Sequence, residues 1–419
     1  MHIYFSGIGG AGLGPLAEIA QDAGHEVSGS DLRESPFSRQ LETRGVDVIY
    51  EQSTESIAAE HLTKPIDWLV HTSALADDHS ELIFAREHGI RTSKRDEFLV
   101  EFLRQHGLKL LAVAGTHGKT TTTGMLIWAA KRLGLPISYS IGTTISFGAS
   151  GKFDPKSKYF IYEADEYGRN FLQFQPFLAI LPSVDYDHPD IFPTRDDYKQ
   201  AFRDFLSQSD SAIMFDDTLR YLEPVSSNAT AFDHRTTVQE IALAGQHNRD
   251  NAFLAAAALA GISDAKTPEL YGILSDFPGT ARRFEKLADG IYSDYAHHPT
   301  EISATLQMAR ELNKNVVAIY QPHQNERQHA LADQYKTAFD GAKHVYWLPT
   351  YQPSGNREKT AEVLTPNDLI AKLAQPKIAE PAELNDELWE SISIHHTAGD
   401  LIVLLSAGDA DAWLRGKVE

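Results

Sequence analysis

Six consecutive residues, Gly115-Thr116-His117-Gly118-Lys119-Thr120, have the types and order needed to bind a nucleoside triphosphate. Glycines let backbone N–H groups turn toward an anion, and a helix that follows adds partial positive charge. Lys119 has the reach to contact the β- and γ-phosphates, and the Thr120 hydroxyl is placed to bind magnesium. The first glycine of the general G-x-x-x-x-G-K-T pattern falls on Val113, so the match is incomplete. A strand-turn-helix corner with an exposed lysine is the alternative interpretation.

Two acidic clusters each follow a predicted strand, at Glu163–Glu166 and at Asp185–His188. An open α/β sheet binds its ligands beyond the carboxyl ends of its strands. Magnesium prefers oxygen ligands and keeps several waters, so few protein ligands are needed. We therefore expect Thr120 at one magnesium ion, and Glu163 with His188 at a second. Solvated strand-end charge is the alternative for the carboxylates, and an ordinary surface or core histidine is the alternative for His188.

A second glycine-rich loop, Gly7-Ile8-Gly9-Gly10-Ala11-Gly12, follows the first predicted strand and opens a helix. Asp31 stands at the end of the next strand. This arrangement resembles the dinucleotide fingerprint, in which glycines let a pyrophosphate approach a helix N-terminus. It predicts binding of a diphosphate nucleotide without saying which. An NAD(P)-dependent oxidoreductase is an alternative that leaves the second phosphate loop and the acidic clusters unexplained.

Three α/β blocks in succession must position these residues, and each opens with an apolar strand. In the first block we predict a helix at 15–23 and strands at 2–6, 26–30 and 68–71. In the second we predict helices at 121–133 and from Asn248 to Ala260, and strands at 109–114, 159–163 and 178–181. The third starts near Tyr292, with strands at 316–320, 344–348 and 401–405.

The predicted fold class is therefore α/β, with three consecutive domains. We expect a Rossmann-like domain at 1–107 that binds a nucleotide sugar, and a central phosphate-loop ATPase-like domain at 108–287. A second Rossmann-like domain, at 288–419, would bind the amino-acid substrate.

Composition narrows the class of protein. The chain has 419 residues, too many for one core, and its 42% apolar and 23% charged residues are typical of globular proteins. A net charge of −20 argues against nucleic acid as a partner. The chain has no cysteine, which excludes disulfides, thiolate zinc sites and cysteine catalysis.

No apolar run has the length of a membrane helix, and the N-terminus is predicted to be a strand rather than a signal peptide. We expect a cytoplasmic protein without a membrane partner, and composition does not reveal its oligomeric state.

Together these motifs resemble the Mur ligases over nearly the whole chain. The matching segments are Gly115–Thr123, Glu163–Glu166, Asp187-His188, His247–Ala252, Arg282–Glu285 and Asp294–Thr300. Outside this context His247 and Asn248 are typical of a helix cap, and Arg282 and Arg283 of a solvated pair.

The resemblance implies a role for each candidate residue. Catalysis and metal binding would involve Lys119, Thr120, Glu163 and His188. ATP would contact Gly115, Thr116, Gly118, Lys119, Thr120, Thr121, His247, Asn248, Asn251, Arg283 and Asp294. The UDP-sugar would contact Gly7, Gly9, Gly10, Gly12, Asp31, Thr72 and Ser73. The amino-acid substrate would contact His297, His323 and Arg327.

Within the family, the N-terminal glycine loop is similar to the muramate branch. The resemblance then implies an ATP- and magnesium-dependent ligase, with manganese as a possible substitute, that joins L-alanine to UDP-N-acetylmuramate in peptidoglycan precursor synthesis. An acyl phosphate would be the intermediate. Transfer of a tripeptide to the same nucleotide sugar is the alternative, and a nucleotide-binding scaffold without catalysis is a remote one.

Separate segments favour the two amine substrates. Gln321–His323 and Ala407–Asp409 resemble the alanine-adding enzymes, whereas Asp165–Tyr167 and Asp187–Pro193 resemble the tripeptide-adding ones.

Three positions depart from the patterns of the family or separate its branches. Gln324 stands where an arginine is usual in the alanine-adding enzymes, and the segment Gly142–Gly151 poorly matches the expected substrate loop. Phe202 occupies the place of the carbamylated lysine of other branches, which agrees with the muramate branch.

Overall fold

The computed structural model describes residues 1–225, 228–234, 240–352 and 363–418. The chain divides into two compact units. The first unit comprises 1–185, 199–236 and 251–278, and the second comprises 186–198, 237–250 and 279–419. Two sheets belong to the first unit and one sheet belongs to the second. Among the described residues, none of the helices combines the length and the apolar composition that crossing a bilayer requires.

The first sheet consists of β1 (His2–Ser6), β2 (Glu26–Ser30), β3 (Asp47–Ile49), β4 (Trp68–His71) and β5 (Arg91–Lys94). Its helices are α1 (Gly14–Asp22), α2 (Pro36–Thr43), α3 (Thr54–Thr63), α4 (Ser80–Glu87) and α5 (Arg95–His106). All five strands are parallel and lie in the order β3-β2-β1-β4-β5. The strand order reverses beside β1, where an open sheet of this kind leaves a crevice for ligands. The glycine loop after β1 lies at that crevice.

The second sheet consists of β6 (Lys109–Val113), β7 (Ser138–Ser140), β8 (Gly151–Lys152), β9 (Tyr159–Glu163), β10 (Leu178–Leu181), β11 (Ala212–Phe215) and β12 (Ala229–Phe232). The helices in this part of the chain are α6 (Lys119–Arg132), α7 (Arg195–Ser207), α8 (Asp216–Leu222), α9 (Gln246–Ala260) and α10 (Thr267–Ser275). The strand order is β12-β11-β10-β6-β9-β7-β8, parallel except for the β7–β8 pair. Because β6 lies between β9 and β10, the loops after these three strands meet at one edge.

The third sheet consists of β13 (Glu285–Ala288), β14 (Ile291–Asp294), β15 (Val316–Gln321), β16 (His344–Trp347), β17 (Ala379–Pro381) and β18 (Leu401–Ser406). Its helices are α11 (Pro299–Leu312), α12 (Asn325–Leu331), α13 (Pro366–Ile370), α14 (Asp386–Thr397) and α15 (Ala410–Val418). The order is β13-β14-β18-β15-β16-β17, parallel except for β13–β14. Apolar clusters cover both faces, as the nearly continuous hydrophobic sequence of β15 and β18 requires.

The three sheets with their helices confirm the predicted fold class, and two of the differences from the predicted bounds have a clear structural cause. Helix α6 begins at Lys119 rather than at Thr121, because Gly118 takes the left-handed conformation (φ 83°) that starts the helix directly behind it. The third sheet begins at Glu285 rather than near Tyr292, because a β13–β14 hairpin precedes the predicted parallel strands. The domain boundaries at 107 and 287 remain predictions.

Helix α1 of the first sheet packs directly on β8 of the second sheet. A Cβ at Gly151 would lie 1.9 Å from the Pro15 carbonyl oxygen, so only glycine allows this approach. Glu18, which is 2% exposed, accepts a hydrogen bond from the Gly151 N–H at 2.6 Å. Burial raises the pKa of Glu18 to about 7, although the Gly151 N–H and Arg44 oppose the shift. This carboxyl is therefore a titratable group inside the junction of the two sheets.

Glu18→Gln is expected to reduce the pH dependence of stability. The pKa of the folded carboxyl is above its ordinary value of 4.5, so the folded chain holds the proton more tightly. Stability contributed by that proton is present below pH 4.5 and is lost as pH rises through about 7, by about 3 kcal/mol in all. Urea midpoints at pH 5.5 and pH 8 measure the loss. The variant should narrow the gap between them.

Glu34→Gln is the matched control for this change, because Glu34 is an exposed carboxylate in the loop between β2 and α2 that pairs with Arg39. Its midpoints should follow those of the unchanged chain at both pH values. An unchanged gap in Glu18→Gln would contradict the expectation.

Candidate active site

The phosphate loop connects β6 to α6 and lies against neighbouring backbone. Gly115 and Gly118 have φ values of 138° and 83°. A Cβ at Gly115 would lie 2.5 Å from the Ser183 carbonyl oxygen, and one at Gly118 would lie 2.7 Å from Asn251 Oδ1. The Thr116 hydroxyl donates to the Asp185 carbonyl at 2.6 Å and accepts from its N–H at 2.9 Å. Two glycines and one hydroxyl therefore fix the shape of the loop.

Gly118→Ala is expected to weaken ATP binding at least about tenfold, because the added methyl group must displace Asn251 or the loop. Gly134→Ala is a matched control: Gly134 follows the other end of α6 with φ 66°, and nothing lies within 4 Å of its added Cβ. The control carries backbone strain without the crowding. Calorimetric titration of both variants with an ATP analogue measures the difference. Equal affinities would contradict the expectation.

Lys119 is held at the loop by a buried carboxylate. Its Nζ donates to Glu166 Oε2 at 2.8 Å, to Oε1 at 3.1 Å, and to the Gly115 carbonyl at 2.6 Å. Glu166 is fully buried. Burial alone would lower the pKa of Lys119, but Glu166 and Asp165 outweigh it and raise the pKa. Lys119 therefore carries a positive charge at the mouth of the loop.

Thr120 and Glu163 place oxygen atoms side by side. The Thr120 hydroxyl donates to Glu163 Oε1 at 2.6 Å, and the Gly142 N–H donates to Glu163 Oε2 at 3.1 Å. Glu163 ends β9 directly beside Val113 of β6, which explains why the two motifs meet. Thr121 follows in the first turn of α6. The segment Gly142–Gly151, poorly matched in sequence, thus contributes a backbone donor to Glu163 at its first residue.

The N-terminal glycine loop borders a cavity of about 320 Å³. Its lining includes Gly7, Gly10, Gly12, Asp31, Thr72, Ser73 and Arg95. Gly9 lies instead against Asp31, whose Oδ2 accepts the Gly9 N–H at 2.9 Å. Six of the seven residues predicted to bind the UDP-sugar therefore line one cavity. The seventh, Gly9, donates its N–H to Asp31, which is the acidic residue of that lining.

In the second unit, Asp187 and Arg327 form a buried ion pair. Arg327 Nη2 lies 2.9 Å from Asp187 Oδ1 and 3.0 Å from Oδ2, and both residues are nearly inaccessible. Burial alone would raise the pKa of Asp187, but His188 and Arg327 hold it well below its ordinary value. His188, the predicted metal ligand, follows with φ 56°. Nε of Arg327 has no hydrogen-bond partner among the described residues.

Two predicted substrate histidines lie near this ion pair. The rings of His297 and His323 are 5.8 Å apart. Burial, reinforced by the charge of Arg327, lowers the pKa of His297 to about 3 and that of His323 to about 4. Both imidazoles are therefore neutral at neutral pH, and they present hydrogen-bonding groups rather than charge.

The residues of the second unit that are predicted to bind ATP lie in two separate segments, one around Asp294 and one at His247 and Asn248. Asp294 accepts the N–H groups of Phe284 and Ala296, each at 2.7 Å. Burial raises its pKa, against the influence of Arg283. Asn248 donates to the Ala244 carbonyl at 3.1 Å, so its side chain is not the helix cap considered as the alternative. Burial and Arg249 lower the pKa of the neighbouring His247 to about 4.

Three family models match successive parts of the chain. They are the Mur ligase family, catalytic domain, at 2–106, the Mur ligase middle domain at 113–233 and the Mur ligase, glutamate ligase domain at 282–408. The UDP-N-acetylmuramate–L-alanine ligase of Lactiplantibacillus plantarum is 33% identical, over 97% of this chain and 95% of that protein. The chain belongs to the Mur ligase family.

Solved Mur ligase structures share the fold over their full length. The UDP-N-acetylmuramate–alanine ligase of Thermotoga maritima superposes with a TM-score of 0.76 at 25% identity, covering 100% of this chain and 98% of that one. A murein peptide ligase of Psychrobacter arcticus superposes with a TM-score of 0.69 at 27% identity, covering 99% and 97%. These matches confirm the predicted resemblance and the three-domain α/β architecture.

Sequence reasoning missed two buried carboxylates that pair with the site cations of this Mur ligase, and one arginine that lines the nucleotide cavity. Glu166 pairs with Lys119, Asp187 pairs with Arg327, and Arg95 lines the cavity of the first sheet. Glu166 and Asp187 belong to the acidic motifs recognised in the sequence, but no spacing rule relates them to partners 47 and 140 residues away. Phe202, which occupies the place of a modified lysine in other branches, is fully buried. The centre of its ring lies 5.1 Å from the centre of the Phe171 ring.

Proposed function

We propose that this Mur ligase uses ATP to join L-alanine to UDP-N-acetylmuramate, forming an amide bond through an acyl phosphate. The observation that carries the proposal is the phosphate loop itself, where Lys119 lies beside the oxygen pair of Thr120 and Glu163. A lysine, an amide-lined turn and hard oxygen ligands are the parts that phosphoryl transfer needs. The relatives named above include an alanine-adding enzyme of nearly the same length.

The donor set at the loop fits a magnesium ion. A hydroxyl and a carboxylate separated by 2.6 Å are hard oxygen donors of the kind this ion prefers. We propose Thr120 as a ligand of one magnesium ion, and Glu163 with His188 as ligands of a second. When bound, magnesium would neutralise charge on the transferred phosphoryl group and on the acceptor carboxylate.

The chain's own residues would bind and orient the reactants. Lys119 would exchange its contacts with Glu166 for phosphate oxygens, and its charge would stabilise the phosphoryl group in transit. His247, Asn248, Asn251, Arg283 and Asp294 are proposed to hold the remainder of ATP. Asp294 has both carboxylate oxygens bonded to backbone N–H groups, which fixes its orientation.

The amine substrate would bind in the second unit. Arg327 would pair with its carboxylate, while the neutral His297 and His323 would offer hydrogen-bonding groups. The acceptor carboxylate first attacks the γ-phosphorus of ATP, and ADP leaves with the electrons of the broken P–O bond. The amine then attacks the acyl carbon, the C–N bond forms, the nitrogen gives up a proton to water, and inorganic phosphate leaves with the electrons of the broken C–O bond. A tripeptide is the second candidate, because Gln324 replaces an expected arginine and a murein peptide ligase shares the fold.

The test is a product assay with ATP, magnesium and UDP-N-acetylmuramate, together with alanine, glycine, serine or L-alanyl-γ-D-glutamyl-diaminopimelate as the amine. Mass spectrometry identifies the product, and phosphate release gives the rate. Alanine is expected to give the fastest product formation, with phosphate release dependent on all substrates. Tripeptide transfer without alanine transfer would replace the substrate but keep the reaction. Absence of any amide product would overturn the proposal.

A further inference from the structure

Arg95 stands between the cavity of the first sheet and a buried carboxylate. It is the first residue of α5 and lines the cavity. A Cβ at Gly12 would lie 2.8 Å from its Nη1, so the guanidinium rests on the glycine loop. Its other side is engaged, since Nε and Nη2 donate to Asp96 at 2.9 and 3.3 Å. Arg95 thus lines the cavity, while its Nε and Nη2 are bonded to the carboxylate of Asp96.

Asp96 links Arg95 to the second sheet through a hydrogen bond. It is 4% exposed, and its Oδ1 accepts the hydroxyl of Tyr162 at 3.1 Å. Tyr162 is buried within β9. The next residue along β9 is Glu163, which bonds Thr120 at the phosphate loop. Three side chains therefore lead from the nucleotide-sugar cavity to the strand that carries the proposed metal carboxylate.

We propose that Arg95, Asp96 and Tyr162 are positioning residues that make nucleotide-sugar binding strengthen ATP binding. The inference rests on the proposed function, because it takes the sugar's diphosphate as the anion beside Arg95. A phosphate at Nη1 would order the guanidinium, which in turn orders Asp96, the Tyr162 hydroxyl and the end of β9. The second ligand then binds to a site that is already ordered, so its binding loses less conformational entropy. Coupling of this kind is reciprocal between the two ligands.

The experiment measures the Kd of a non-hydrolysable ATP analogue with magnesium, with and without saturating UDP-N-acetylmuramate, and without amino acid. In the unchanged chain the sugar nucleotide is expected to tighten binding about tenfold. In Tyr162→Phe the ratio should fall to about one, while the affinity for each ligand alone stays within about threefold. The phenylalanine fills the same space and removes only the hydroxyl that reaches Asp96.

Tyr4→Phe is the matched control. Tyr4 is also buried, and its hydroxyl donates to the carboxylate of Glu81 at 2.8 Å, outside the path from cavity to loop. This variant should keep the full ratio. Arg95→Lys provides a second test at a partly exposed position: it retains the charge, loses the two-pronged contact with Asp96, and should also lower the ratio.

Two results would overturn the inference: a ratio near one in the unchanged chain, or the full ratio in both Tyr162→Phe and Arg95→Lys. If the unchanged chain failed to bind UDP-N-acetylmuramate at all, the proposed function would fall and the inference with it. Binding of both ligands without coupling would count against the three positioning residues alone.

Discussion

Lys119→Met is expected to lower turnover by at least about a thousandfold, because the transferred phosphoryl group loses its fixed cation. The methionine fills similar volume without charge. Phosphate release, dependent on UDP-N-acetylmuramate and alanine, measures the loss. Lys131→Met is the control, since Lys131 lies on the same helix and donates to the Phe147 carbonyl instead of Glu166. The control should retain ordinary turnover.

The buried position of Glu166 complicates the single change. Removing Lys119 breaks its buried ion pair with Glu166, in which the charged atoms lie 2.8 Å apart, and breaking such a pair costs about 3–5 kcal/mol in proteins. The double variant Lys119→Met, Glu166→Gln removes both charges and should recover stability, measured by urea denaturation, without recovering turnover. Turnover within tenfold of the unchanged chain in either variant would contradict a phosphate-binding role for Lys119.

Arg327→Met is expected to raise the KM for the amine substrate by about a hundredfold or more, because a charge-assisted pair with its carboxylate is lost. The KM values for ATP and UDP-N-acetylmuramate should change much less. Initial rates with each substrate varied in turn separate these effects. Arg415→Met is the control, because Arg415 pairs with Glu285 and Asp411 in the same unit.

Arg327 also has a buried partner that must be removed with it. Arg327 helps to keep the pKa of the buried Asp187 low, so Arg327→Met alone leaves a buried carboxyl group that has lost its ion pair. Adding Asp187→Asn should restore stability but leave the KM for the amine high. If the double variant regained the original KM, Arg327 would serve to hold Asp187 rather than to bind substrate.

The sequence predicted the strands and loops that are defined by residues close together in the chain. Glycines at 115 and 118, a lysine and a threonine before an apolar helix define a phosphate loop without reference to the rest of the chain. The same holds for the glycine loop after β1 and for the long apolar strands β15 and β18. Short elements such as β3, with three residues, and β8, with two, are too brief to have a recognisable period.

The sequence alone therefore determined the family, the α/β class and the chemical types at each site, since these depend on motifs that are contiguous in the chain. Tertiary structure alone decided which carboxylate neutralises which cation. Lys119 and Glu166 meet because the parallel strands β6 and β9 end at a common edge. Arg327 and Asp187 meet because the segment 186–198 belongs to the same compact unit as α12. Tyr162 of the second sheet and Asp96 of α5 meet by a hydrogen bond between side chains 66 residues apart. The physical reason is that Coulomb and hydrogen-bond energies depend on distance in space, and spacing along the chain does not encode that distance for residues far apart.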